Sequence, residues 1–132
     1  MFSIDVREET LESLDSLKHD LGKYLRMPVA FLPKDASTKD IRDALMMALH
    51  QTKSKGGRYE SARELWEDFV EKNAHNLNQF AEYTVLRKGV DRAIQWERAL
   101  QDDALLDQNA ITRDLGEVHN QITRLIGAVS DA

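Results

Sequence analysis

Residues 17–28 read LKHDLGKYLRMP, and the adjacent His19 and Asp20 are the first place in the chain to look for chemistry. An imidazole beside a carboxylate can give two ligands to a divalent metal. An exposed imidazole can also accept a phosphoryl group from an aspartyl phosphate. Metal catalysis needs several ligands converging on one ion with a position left open. Phosphoryl acceptance needs only a reachable nitrogen. On a helix turning about 100° per residue, Leu14, Leu17, Leu21 and Leu25 fall on one side, and His19 points away from them into water.

The run HDLGK, residues 19–23, resembles the His-Asp signature of the HD-domain metal-dependent phosphohydrolases. That resemblance implies a metal held by His19 and Asp20 together with an upstream histidine and a later aspartate. No histidine precedes His19, so one ligand is missing and the reading is no metal and no cofactor. His19, Asp20 and Leu21 are also similar to the histidine, acid and apolar residue on the dimerisation helix of histidine kinases, although Pro28 follows later than that family places its proline. This resemblance implies a bundle helix presenting His19 as phospho-acceptor. The chain shows no ATP-binding domain, so phosphotransfer through His19, without kinase activity, is the alternative function.

The other histidines add nothing catalytic. His50 is placed at the close of a helix, His75 in an Asn-rich turn and His119 beside an apolar seam, and none has a partner at HExxH or ExxH spacing. There is no cysteine, hence no disulfide and no thiolate ligand. No nucleophile-elbow glycine pattern surrounds a serine. A basic island, KSKGGRYESAR, carries Lys53, Lys55, Arg58 and Arg63 around a glycine pair and could hold an anion. It lacks the GxxxxGK[ST] pattern of a phosphate-binding loop, and a solvated inter-helix loop is the simpler reading. RKGVDR adds Arg87, Lys88 and Arg92 further on.

The elements that position these residues read as helices nearly throughout. Apolar residues recur every three or four positions, only two prolines and six glycines interrupt them, and no strand alternation appears. A first helix is expected from Val6 to Arg26, ending before Pro28, with Val29, Phe31 and Leu32 of the connector tucked against the core. A second starts at Ser37, where STKD has the capping-box spacing, and buries Ile41, Ala44, Leu45, Ala48 and Leu49 up to the Gly56–Gly57 pair. A third follows a Ser61–Glu64 cap with the stripe Ala62, Leu65, Trp66, Phe69 and Val70, and NAHNLNQ predicts a turn or kink near residues 73–78. A fourth runs from about Gln79 to Asp103 with Phe80, Tyr83, Val90, Ile94 and Leu100 near one face. The last carries Ile111, Leu115, Val118, Ile122, Leu125 and Val129, a heptad seam and the most regular pattern in the chain.

The fold expected is therefore all-α, a bundle of four to five amphipathic helices with a heptad-like C-terminal helix, forming a single domain over residues 1–132. An apolar fraction of 42% against 31% charged suits a folded chain. The formal net charge of -5 argues against nucleic acid as partner, and no apolar run spans a membrane. The acidic N-terminus lacks a signal-peptide pattern, which makes the cytoplasm the expected location. With no catalytic constellation, the expected function is a non-enzymatic protein–protein interaction or adaptor module, self-associating. Its partner surface is expected along Leu115, Val118, Ile122, Leu125 and Val129, since a heptad seam can pair between chains as well as within one.

Overall fold

The structure, a computed structural model, describes residues 3–21, 32–54, 61–99 and 108–132. Among them are five helices: α1 (Ile4–Leu21), α2 (Thr38–Ser54), α3 (Ala62–Leu77), α4 (Ala81–Ala99) and α5 (Gln108–Asp131). The described residues hold no strand. The all-α bundle read from the periodicity is the observed architecture.

The helix starts follow local chemistry. In α1 the Ser3 hydroxyl accepts the Val6 N–H at 3.2 Å. At α2 the capping box closes in both directions: the Asp40 N–H donates to Ser37 Oγ, and the Ser37 N–H donates to the Asp40 carboxylate, each at 3.2 Å. At α3 the Ser61 hydroxyl accepts the Glu64 N–H at 3.1 Å. Each cap satisfies donors that the first helical turn leaves without an internal partner.

Two boundaries differ from the sequence expectation. The Asn-rich stretch does not interrupt α3 before Leu77. Asn73 is buried, and its side-chain amide donates to the Phe69 carbonyl at 3.0 Å, so the helix satisfies within itself the polar group that suggested a turn. The break falls at residues 78–80, where the Asn78 N–H still reaches Ala74 O and the Phe80 N–H turns back to Leu77 O. The second helix also passes His50 and continues to Ser54, so His50 does not close it. The expected ends at Arg26 and Asp103, and the connector residues Val29 and Phe31, lie outside the described residues.

Four of the helices form a ring. α1 packs on α3, α3 on α4, α4 on α5 and α5 on α1, while α1 and α4 sit at diagonal corners. α3 and α4 run antiparallel, as do α1 and α5. A three-residue turn folds α3 back onto α4, mid-helix Gly89 of α4 faces mid-helix Gln121 of α5, and Arg7 at the start of α1 donates to the Ala132 carbonyl beyond α5. The enclosed core contains Leu14, Leu17, Phe69, Leu77, Tyr83, Leu86, Val90, Ile111, Ile122 and Leu125. Trp66 lies in it too, stacked on Phe69 with ring centroids 5.5 Å apart. α2 is the exception. It is anchored near its start, where Ile41 is buried, but shares in none of the extensive helix–helix contacts among the described residues.

Candidate functional site

The α5 seam is the first test of the sequence reading. Leu115, Val118, Ile122, Leu125 and Val129 are all buried, Ile122 to 1% exposure and Leu125 to 0%, against α4 on one side and α1 on the other. The seam expected to receive a partner is spent inside the chain, and this corrects its assignment as a partner surface. The physical reason is the ring itself. A heptad face needs apolar neighbours along its length, and two helices of the same chain already supply them.

His19 is exposed on the outer side of α1, and Asp20 beside it is half-buried. Gly22 and Lys23 lie outside the described residues. Among the described residues no three His, Asp or Glu side chains converge as a metal site would require. His75 is exposed in the last turn of α3 and His119 is half-buried on α5. Of the basic island only the Arg63 side chain is described. It is exposed and bonds along its own helix to Glu67 at 3.3 Å. Lys53 lies in the last turn of α2 with its side chain outside the description, as Lys55 and Arg58 are entirely. The four cations are therefore not brought together by anything described.

No family model, curated protein or solved structure matches this chain.

Three features escaped the sequence reading. The first is Tyr83. Its ring is core, 1% exposed, and its hydroxyl is buried with no hydrogen-bond partner. The Arg87 guanidinium lies 5.9 Å from the ring centroid, one turn along α4. Burial pushes the phenol pKa above 10.0, with Arg87 pulling weakly the other way. A residue on the apolar stripe gives no sequence signal that its polar tip will be stranded.

The second is the α4–α5 contact at Gly89. A Cβ there would collide with the amide oxygen of Gln121 and come within 3.1 Å of its Cδ. Gly89, which costs helix propensity, thus leaves the space that the Gln121 side chain of α5 occupies. The third is α2, where Met46 and Met47 are 52% and 61% exposed. They fall off the Ile41–Leu45–Ala48 stripe, which is the signal that could have marked them.

The outer faces of the diagonal corners also differ in charge. α1 shows five exposed carboxylates, Asp5, Glu8, Glu9, Glu12 and Asp15, opposite its buried leucines. α4 shows Arg87, Lys88, Arg92 and Arg98 exposed, with Asp91 among them.

Proposed function

We propose that this chain is a non-enzymatic helical module for protein–protein interaction, which holds a partner on the outer faces of its helices. The observation that carries this reading is the adjacent pair Met46–Met47 on α2, large apolar side chains left more than half exposed on the helix least engaged with the ring. Exposed apolar side chains on a helix with few contacts to the ring among the described residues are a contact surface in waiting, and methionine adapts to irregular partners. A helix laid against α2 would cover both. Comparing partners held by the full chain and by Met46→Lys/Met47→Lys tests this. The double variant should keep its helical circular dichroism and lose the partner. A partner retained at full strength by the folded double variant would remove α2 as the contact face.

A second reading is phosphotransfer, favoured by the exposure of His19 on an outer bundle face. It needs only a response regulator able to bring an aspartyl phosphate to the imidazole. Acid-labile phosphate on the wild type after incubation with charged regulators, absent from His19→Gln, supports it. No labelling in either protein removes it.

A further inference from the structure

We infer that the outer face of α4 is a docking surface for α1 of a second copy of this chain; the inference rests on the interaction-module reading and names its self-association surface. The two faces are complementary. The α1 stripe from Asp5 to Asp15 and the α4 stripe from Lys88 to Arg98 each extend about 15 Å along their helices at 1.5 Å per residue. The first presents carboxylates only, because the two bases of α1, Arg7 and Lys18, are half-buried. The second presents three cations, Lys88, Arg92 and Arg98, to one exposed acid, Asp91, among its described side chains, with Arg87 and the 49% exposed Val85 just before it.

Neither stripe is neutralised at home. On α3 the charges pair along the helix, Arg63 with Glu67 and Lys72 with Asp68 at 3.1 Å. Among the described residues none of the five α1 carboxylates, nor Lys88 or Arg92, is ion-paired within the chain. The α1 and α4 faces look outward from diagonal corners of the ring, so they cannot reach each other in one molecule. A second copy brings one face to the other. Because the faces differ, each docked copy leaves one of each free, and copies add in a row unless the rotation between them closes a ring. Single exposed ion pairs contribute little. The association therefore depends on the whole array and weakens as salt screens it over a Debye length of about 10 Å at 0.1 M.

The test is sedimentation velocity of the full chain at low and high ionic strength. The wild type should form larger species at low salt that revert to monomer at high salt. Lys88→Glu/Arg92→Glu and Glu8→Lys/Glu12→Lys should each be monomeric at low salt, with unchanged melting because all four side chains are exposed. Mixing the two variants should restore association, since each then offers the face the other needs. A wild type that stays monomeric at low salt, or a mixture that fails to associate, overturns the inference. So does a monomer that gains mass only with an added polyanion such as duplex DNA, which would make α4 a nucleic-acid face. Association that resists salt and both reversals but is lost in Met46→Lys/Met47→Lys overturns it too, while leaving the interaction-module reading in place.

Discussion

α5 and α2 are both amphipathic, yet they end in opposite situations. α5 buries all six members of its apolar stripe from Ile111 to Val129, whereas α2 buries Ile41 near its start and leaves Met46 and Met47 in solvent. The difference is one of neighbours more than of composition. α5 packs against both α1 and α4, and α2 has no such flanks among the described residues. A regular apolar stripe reports that a helix will be covered, and the neighbours determine whether its own chain does the covering. Interaction is better sought on the helix that shares least in the ring's contacts among the described residues.

The contrast can be broken by substitution. The largest effect should come from the α5 core: Ile122→Ala removes a side chain only 1% exposed and should cost about 2 to 5 kcal/mol in a denaturant titration. A loss well below that range would mean that the seam is loosely packed and that α5 resembles α2.

Next comes Tyr83. Deleting its unpartnered buried hydroxyl in Tyr83→Phe should stabilise the ring by about 1 kcal/mol or more, because the cost of stranding that group disappears. The folded pKa lies above the unfolded value of 10.0, so the native state holds the phenolic proton more tightly. Its contribution is complete below that unfolded value and is lost as pH rises through the folded one. Wild-type stability should therefore fall more steeply than that of Tyr83→Phe above pH 10.0 in alkaline titrations followed by circular dichroism. Parallel curves would place the hydroxyl in water.

Gly89→Ala should stabilise by up to about 1 kcal/mol through helix propensity. Gln121 must swing outward to admit the methyl, and it can do so cheaply, because its buried amide oxygen has no hydrogen-bond partner to lose. Destabilisation that Gln121→Ala rescues in the double variant would show instead that Gln121 is locked against α4. The smallest effect belongs to α2: Met47→Ala should change the unfolding free energy by no more than about 0.5 kcal/mol. A larger loss would mean that Met47 is part of the fold and not a contact surface.

The helices and their inner faces were legible because the 3.6-residue period carries burial directly. Leu14, Leu17, Leu65, Phe69, Val90 and the whole α5 seam were identified as apolar faces from spacing alone. The capping box at Ser37 and Asp40 was legible for the same reason, being a short-range pattern. What covers each face was not, since periodicity says nothing of the partner, and so the α5 seam was assigned outward when it closes the ring. Asn73 misled because its side chain, read as a turn former, is satisfied by its own helix. The stranded hydroxyl of Tyr83 and the opposition of the α1 and α4 charge stripes exist only once the helices are placed around one core.

The α5 seam completes the fold within one chain. It is tested most directly by the urea midpoint of unfolding, measured at high salt over a roughly thousand-fold range of protein concentration, because coupling to a partner copy makes apparent stability depend on concentration. A seam closed within the chain gives the same midpoint throughout. A midpoint that climbs with concentration would show that the seam is completed between chains and not within one.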